Sequence, residues 1–495
     1  MTLFTLTVYI GLASVLVTAV MVYFKLHQSF LTSFLQNFTG ILFLFSGWVK
    51  AIDPLGTAYK MEQYFAEFEA TFSGTWFSFI APIFPVLSGM AITFSVAVII
   101  FEMIIGLMLL LGIKPKFTSR AFFLLLLFFT FLTGFTFLTG FVPPDANFFH
   151  FSSWSSYNPN HMRVTDCGCF GDFIKLEPRT SFFKDVVLLI PAIYFLLKNK
   201  QFHKIFSASA DKFILSGAIV LLIFYCMSNF LWDLPHTDFR PFKKGADIAG
   251  IYEEEKKAAA NVKIIAFQLK ERSTGKIVEL SYDVYMKDYE LYPQDEWETI
   301  NQIMTKPEVE PTKISDFAIE DLDGYDATDV FLENEGWKFM IVAHKMNAKP
   351  ESRSKIVIDS IFVTSGEMDE MGIEIPVPVL DRIVEREEKY TEFHWNDSYL
   401  KRYTQALAHF VDQARENGVP TALVAGGAGE DMLRSFKNTT GMNIDLYKAD
   451  DILLKTIIRS NPGVVLWKEG KILDKWHIKK LPDWERVKAI YSIDN

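Results

Sequence analysis

The sequence predicts a membrane-embedded bundle of about six helices followed by a water-soluble α/β domain. Half of the residues are hydrophobic and the mean hydropathy is +0.17, yet 22% are charged, which is too many for a chain that lies wholly in lipid. Apolar residues crowd before about Trp232, whereas Glu, Lys and Asp are dense from Lys243 onward. This single break in composition predicts a domain boundary between Pro235 and Pro241.

The charge balance excludes one class of partner. The chain carries 49 Lys and Arg against 59 Asp and Glu, which gives a formal net charge of −10. Binding to nucleic acid needs clustered Lys and Arg against the phosphates, and the sequence contains no such cluster. The sequence therefore argues against a nucleic-acid partner. The expected partners are a lipid bilayer, from the apolar spans, and an envelope protein partner or client, from the C-terminal domain.

A helix needs about 20 apolar residues to cross a hydrocarbon core of ~30 Å. Windows of that size predict six spans, at residues 2–24, 31–49, about 86–111, 121–141, 186–197 and 213–232. The first span lacks a preceding basic segment and a cleavage site, so it is interpreted as a helix and not as a signal peptide. The connections at residues 114–120 and 198–212 are rich in Lys and Arg, which favours the cytoplasmic side. The amino terminus, the loop after the fourth span and the C-terminal domain then lie outside.

Three side chains in the predicted spans are candidates for function. An ionised group inside a span is costly unless it faces a partner or a cavity. Glu102 is therefore either a proton or ligand site, or a hydrogen-bonding residue that only gives the bundle specificity. Lys50 ends the second span, where a basic residue that reaches for the membrane surface is the simpler interpretation. Cys226 is most simply a small apolar residue, but near the outer face it would resolve a mixed disulfide.

Two cysteines, Cys167 and Cys169, flank Gly168 in the loop after the fourth span. Glycine allows the tight turn that would bring the sulfurs together. A disulfide in so small a ring is strained, and strain raises its reduction potential, so the bond would pass its oxidation to another dithiol. Two alternatives remain: a local loop clip, or half of a metal site completed by His150 or His161. The metal site is disfavoured because one-residue spacing is poor for two ligands on one zinc.

The membrane part shares a set of motif residues with a known family. The matching positions are Ser46, Gly47, Lys50, Asp53 and Pro54, then Glu102 with Gly106, then Cys167, Gly168, Cys169, Phe170 and Gly171. On these residues, residues 38–197 resemble the four-helix DoxX/MauE family, in the branch found in Bacteroidota that appends an external domain. The resemblance implies redox chemistry of thiols linked to a quinone. It implies Cys167 and Cys169 as the exchanging thiols, with Lys50, Asp53 and Glu102 as intramembrane polar residues.

The C-terminal part alternates predicted strands and helices. Strands are predicted at residues 263–267, 276–283, 338–343, 421–424, 444–447, 463–467 and 472–478, and helices at 399–415 and 431–439. From residue 311 this order resembles a thioredoxin-like domain of the TlpA kind, which implies a cis peptide bond at Pro462. The CxxC motif of that family should follow the strand at 338–343, but no cysteine occurs after Cys226. The resemblance therefore supports the fold and removes the usual activity.

The sequence thus predicts a membrane bundle at residues 1–234, a linker with small strands at 235–310 and a thioredoxin-like domain at 311–495. Residues 350–392, rich in Glu and Asp, look like an insertion with no assigned role. The favoured function is a thiol/disulfide or quinone-linked oxidoreductase on the periplasmic side of a bacterial inner membrane. The alternative is a non-enzymatic anchor whose thioredoxin-like domain binds an envelope protein through Asn461, Pro462 and Gly463.

Overall fold

A computed structural model describes residues 1–164, 168–333, 335–368 and 374–493 of the chain. The chain divides into two compact units, Met1–Lys243 and Lys244–Asn495. In the described residues the first unit is mainly helical, whereas the second carries the sheets. The division falls just beyond the boundary that the composition predicts, because residues up to Lys243 still pack with the helices.

The described part of the first unit contains eight α-helices. They are α1 Leu3–Tyr23, α2 Phe30–Ile52, α3 Pro54–Phe72, α4 Ile83–Gly89, α5 Ala91–Leu111, α6 Pro115–Thr139, α7 Pro178–Lys198 and α8 Ala208–Met227. Six of these, α1, α2 and α5 to α8, are long and apolar enough to cross a membrane. This agrees with the six spans that hydropathy predicts. Because these six helices alternate in direction along the chain, α3, α4 and the described part of the loop at residues 140–177 lie at the same end of the bundle.

Helix α3 was not predicted, because its charged residues remove it from any search for apolar spans. Its start is nevertheless encoded locally: the Asp53 side chain accepts a hydrogen bond from the Gly56 N–H at 3.1 Å, and Pro54 occupies the first turn. The helix packs on the end of the bundle, where the Tyr64 and Thr136 hydroxyls lie 2.8 Å apart. Together with the described part of the 140–177 loop, α3 caps this end.

Helices α2 and α5 approach each other closely through glycine. A Cβ atom on Gly47 would lie 2.4 Å from Met103 Cγ, and one on Gly106 would lie 3.0 Å from the Gly40 carbonyl oxygen. Small residues allow helix backbones in a membrane to pack at short range, where dispersion replaces the missing hydrophobic effect. This close pairing brings the polar side chains of the two helices together.

The described part of the second unit contains ten strands and eight further helices. The strands are β1 Ile264–Glu271, β2 Ile277–Ser281, β3 Trp297–Met304, β4 Trp337–Ala343, β5 Ala348–Met368, β6 Glu374–Trp395, β7 Thr421–Gly426, β8 Asp445–Ala449, β9 Gly463–Lys468 and β10 Lys471–His477. The helices are α9 Ile248–Ala260, α10 Tyr282–Lys287, α11 Asp329–Leu332, α12 Asp397–Thr404, α13 Ala408–Glu416, α14 Glu430–Thr440, α15 Asp451–Ile457 and α16 Trp484–Tyr491. The single helix predicted at residues 399–415 is thus two helices, α12 and α13.

The main sheet of the second unit has the strand order β10-β9-β4-β7-β8. Strands β4, β7 and β8 are parallel, whereas β9 and β10 run antiparallel to their neighbours. Nearly every residue of β7 and β9 is buried, as expected for strands covered by helices on both faces. The β9–β10 turn is formed by Glu469 and Gly470, whose φ angles of 52° and 69° suit a tight hairpin.

Two smaller sheets accompany the main one. Strands β1, β2 and β3 form an antiparallel sheet in the order β2-β1-β3. Strands β5 and β6, of 21 and 22 residues, pair with each other as a two-stranded hairpin. This hairpin occupies the segment that the sequence marks as an insertion, and it starts a few residues after β4.

Candidate functional site

Lys50 and Glu102 form an ion pair inside the helical bundle. The Lys50 Nζ atom lies 2.7 Å from Glu102 Oε2, and the two side chains are 8% and 2% exposed. Lys50 therefore turns into the bundle and does not reach for the membrane surface. Its ammonium group also lies 5.0 Å from the centre of the Phe129 ring on α6, which favours a cation through the ring quadrupole.

A second ion pair lies on α7, where Lys184 contacts Asp185. The Asp185 side chain is 1% exposed, and its Oδ2 atom accepts a hydrogen bond of 3.0 Å from the Thr133 hydroxyl on α6. Sequence reasoning missed this pair because it placed the fifth span at residues 186–197. Pro178 is the sequence signal that could have revealed the pair, because proline suits the first turn of a helix. Helix α7 begins there, about two turns before the predicted span.

The described part of the cysteine loop is fixed to the end of α2. The Ser46 hydroxyl donates a hydrogen bond of 2.8 Å to the Cys169 carbonyl oxygen. Gly168 and Gly171 have φ angles of 60° and 51°, a region that residues with a side chain rarely adopt, so glycine is needed at both turns. Cys167 lies outside the described residues.

The Cys169 thiol sits in the electrostatic field of both ion pairs. Burial raises the pKa of this thiol, the nearby Lys184 ammonium lowers it and the Asp185 carboxylate raises it again. Lys50 and the Ser181 hydroxyl lower it further. The pKa of the thiol is raised as a whole, so burial outweighs the two ammonium groups, whose charges favour the thiolate.

These residues form one charged cluster built from four helices. Its members are Lys50 from α2, Glu102 from α5, Thr133 from α6, and Lys184 and Asp185 from α7, with Cys169 at its edge. Phe129, which contacts Lys50, and Thr133, which contacts Asp185, lie one turn apart on α6, so the two ion pairs contact neighbouring turns of the same helix. With two cations and two anions, the cluster carries no formal net charge.

Two other sequence candidates lie outside this cluster. Asp53 caps α3 through its bond to the Gly56 N–H, so its position has a structural explanation. Cys226 is fully buried on α8, where it packs with Ala51, Ile99 and Met103. Among the described residues, no group of three His, Cys, Asp or Glu side chains is arranged to hold a metal ion.

The three candidate partner-binding residues lie at the start of β9. The Asn461–Pro462 peptide bond is cis. The Asn461 side chain donates a hydrogen bond of 2.7 Å to the Lys345 carbonyl oxygen, just after β4, and its own carbonyl accepts one of 2.9 Å from Arg402. Pro462 and Gly463 are buried, whereas Asn461 is half-buried.

The β5–β6 hairpin has two chemically different faces. One face carries ion pairs between Arg353 and Glu392 at 2.6 Å and between Lys355 and Glu388 at 3.3 Å. The opposite face, called here the apolar face, carries five apolar side chains that are 47% to 70% exposed, together with Glu385 and Glu387, which pair with Ile358 and Ile356. The five are Ile356, Ile358, Phe362, Leu380 and Ile383. Large apolar side chains on a two-stranded sheet are expected to need a covering partner.

Comparison of the chain with protein-family models, with curated proteins and with solved structures gave no match. The DoxX/MauE-like and thioredoxin-like assignments therefore stay predictions from the motif residues and the order of strands and helices.

Proposed function

We propose that this protein is a membrane-bound thiol/disulfide oxidoreductase of the DoxX/MauE-like type, with Cys167 and Cys169 as its exchanging thiols. The observation that carries the proposal is the position of Cys169 against a buried charged cluster. Keeping four charged side chains inside a membrane bundle is costly, and residues of this kind are rare except at functional sites. A loop clip between the two cysteines would need none of them.

The exchange reaction balances within the pair and a client. A client dithiol gives two electrons to the Cys167–Cys169 disulfide: the disulfide bond of the pair breaks, a disulfide bond forms in the client, and both protons end on the pair. Re-oxidation then needs a two-electron acceptor, for which a lipid-soluble quinone is the proposed class. Two lysine side chains have the chemistry to bind a quinone head group. The ammonium groups of Lys50 and Lys184 are hydrogen-bond donors, and they lie beside the Phe129 and Phe170 rings. When bound, a quinone accepts two electrons and two protons.

The proposed location is a bacterial inner membrane with the cysteine loop and the C-terminal unit in the periplasm. Six successive crossings would put both on one side, and the Lys- and Arg-rich connections at the opposite end favour the cytoplasm there. An impermeant alkylating reagent added to intact cells should label the loop cysteines after reduction. Labelling only after the cells are broken would mean that the loop lies on the cytoplasmic side.

The C-terminal unit is proposed to be a thioredoxin-like domain that recruits the client. The order of the five-stranded sheet and the cis Asn461–Pro462 bond support that fold. The domain has no cysteine of its own, so it cannot carry out dithiol exchange by itself. Asn461, which joins the end of β4 to this loop, is the proposed contact residue.

The test is thiol oxidation in sealed membrane vesicles that contain the full-length protein. Reduced dithiothreitol serves as the electron donor and a water-soluble quinone analogue as the acceptor. Cys167→Ser and Cys169→Ser should each abolish quinone-dependent oxidation. Cys226→Ser is the matched control and should retain it, because that thiol is buried in apolar packing. Equal rates in all three variants would reject the oxidoreductase.

The second candidate function is a non-enzymatic anchor that presents a partner-binding domain. The apolar face of the β5–β6 hairpin favours it, since exposed apolar side chains mark interaction sites. Replacement of Ile358 and Ile383 by Ser should then remove association with an envelope partner, whereas the double Cys→Ser variant should leave association and phenotype intact.

A further inference from the structure

We propose that residues 76–90 form an in-plane lipid anchor, a segment that lies along the bilayer surface at the end of the bundle that carries α3 and the cysteine loop. Its partner is the glycerol and upper acyl region of the lipids. The segment contains the 3₁₀ turn Ser78–Ile80 and α4, which join through the helical backbone of Ala81 and Pro82. It connects α3 to the third apolar span, α5, and takes no part in the proposed redox reaction.

One face of this segment is apolar and exposed. Its large apolar side chains recur at intervals of three and four residues and are 48% to 81% exposed: Trp76, Phe79, Ile83, Val86 and Met90. Intervals of three and four place side chains on one face of a helix. The segment therefore presents a continuous apolar stripe, called here the stripe, which the described part of the chain leaves uncovered.

The opposite face of the segment packs on α3. The Phe84 ring stacks on the Phe72 ring with 5.7 Å between ring centres, and it lies 5.5 Å from the Phe68 ring. Phe77 contacts Phe72 edge to face at 6.1 Å, and Ala81 is buried. These contacts fix the rotation of the segment, so the stripe faces away from α3.

The lack of charge around the stripe favours lipid over water or a soluble partner. Residues 70–101, from the end of α3 into α5, contain no Asp, Glu, Lys, Arg or His. A surface in water is expected to carry mixed charges, and an interface between proteins is expected to have a polar rim. An apolar stripe with no charged neighbour in its own segment matches the chemistry of lipid.

The position of the segment along the chain also indicates the bilayer. Helix α5 starts at Ala91, directly after Met90, so no loop separates the segment from a membrane span. The helical part, Ser78–Gly89, has 12 residues and is about 18 Å long at ~1.5 Å per residue, too short to cross a core of ~30 Å. A short apolar helix with Trp76 near its free end is typical of a segment that lies in the membrane surface.

The lipid anchor is connected to the cysteine loop through α3. A Cβ atom on Gly168 would lie 3.5 Å from the Lys60 Cγ atom of α3. Because α4 packs on α3 and α3 contacts the loop, lipid contact at the stripe sets the height of the cysteine loop above the bilayer.

The test measures which medium surrounds each side chain. Full-length protein in which serine replaces all three native cysteines is placed in lipid nanodiscs, which leave both membrane surfaces open to water. A single cysteine is introduced by Phe79→Cys, Ile83→Cys, Val86→Cys or Asp145→Cys and carries a nitroxide spin label. Its collision rates with oxygen, which concentrates in lipid, and with a water-soluble nickel chelate are measured by electron paramagnetic resonance. Asp145 is exposed at the same end of the bundle and is the matched control in water.

The ratio of oxygen to nickel collisions should be several-fold higher at the three stripe positions than at the control position. A ratio equal to the control would mean that the stripe faces water, and low rates with both reagents would mean that protein covers it. Either result overturns the proposal. The three stripe positions are independent, so one variant that fails to fold leaves two. Thiol exchange plays no part in the measurement, so the lipid anchor and the oxidoreductase can fail separately.

Discussion

Breaking the Lys50–Glu102 ion pair should destabilise the bundle far more than removing both charges. The pair is 2.7 Å apart and the two side chains are 8% and 2% exposed, so either charge left alone has no water to solvate it. Removal of one partner from such a pair costs about 3–5 kcal/mol. We therefore expect Glu102→Gln and Lys50→Met each to lower the free energy of unfolding by that amount. The double variant should cost much less than the sum, with a coupling energy of at least about 2 kcal/mol.

The assay is reversible unfolding of the full-length protein by sodium dodecyl sulfate in mixed micelles, applied to the parent, both single variants and the double variant. Asp145→Asn is the matched control, because it removes the same charge from an exposed position and should change stability by less than about 0.5 kcal/mol. Additive effects of the two single changes would refute the reasoning, since they would mean that the two groups do not depend on each other.

Three further predictions follow from local geometry. In urea unfolding, Gly470→Ala should lower the free energy of unfolding by about 2 kcal/mol more than Gly275→Ala does. Both glycines have positive φ, but only at Gly470 would the new Cβ meet a neighbour, at 2.4 Å. Equal losses would contradict this reasoning. In the micelle assay, Gly47→Ala should destabilise the bundle, whereas Gly11→Ala should not. Only at Gly47 would the new Cβ meet a side chain, at 2.4 Å. A stabilising effect of Gly47→Ala would argue against close helix packing. Burial and then nearby cations lower the pKa of His344 to about 4, so the unfolded chain binds the proton first as the pH falls. The contribution of His344 to the free energy of unfolding should be fully present above about pH 6.5 and should fall by about 3 kcal/mol as the pH drops towards 4. In urea unfolding, His344→Gln should remove this pH dependence.

Hydropathy was sufficient for the membrane part because crossing a bilayer imposes length and composition on each span. All six predicted spans overlap the six apolar helices of the structure. The same criterion could not find α3, which is amphipathic and charged, nor the Lys184–Asp185 pair, which precedes the apolar stretch of α7. A search for apolar windows leaves out segments with charged residues, and those segments carry part of the charged cluster.

The charged cluster could be predicted only in part. Glu102 was singled out as an ionised residue in a span. For its partner Lys50, the family resemblance implied an intramembrane polar residue, whereas the local sequence favoured one that reaches for the membrane surface. The two are 52 positions apart, and their contact depends on the close packing of α2 and α5 at Gly47 and Gly106. No local pattern reports such a contact, because it is a property of the packed bundle.

In the second unit, the buried strands were the most predictable elements. Strands β4, β7, β9 and β10 lie within a few residues of their predicted positions, because their apolar runs end in clear turn residues such as Glu469 and Gly470. Helices α9, α15 and α16 were missed. Helices α15 and α16 have only 7 and 8 residues, and α9 buries only Ile248, Glu255 and Ala258. The β5–β6 hairpin was seen only as an acidic insertion, because its apolar residues are spread thinly among charged ones.

The central claim is tested most directly by counting the free thiols of the Cys167–Cys169 pair during a reaction. Full-length protein with Cys226→Ser is placed in vesicles, quenched with acid, trapped with an alkylating reagent and analysed by mass spectrometry. The number of trapped thiols should fall from two to zero when the quinone analogue is added, and it should return to two when reduced dithiothreitol follows. A number that stays the same through both additions would contradict a redox role for the pair.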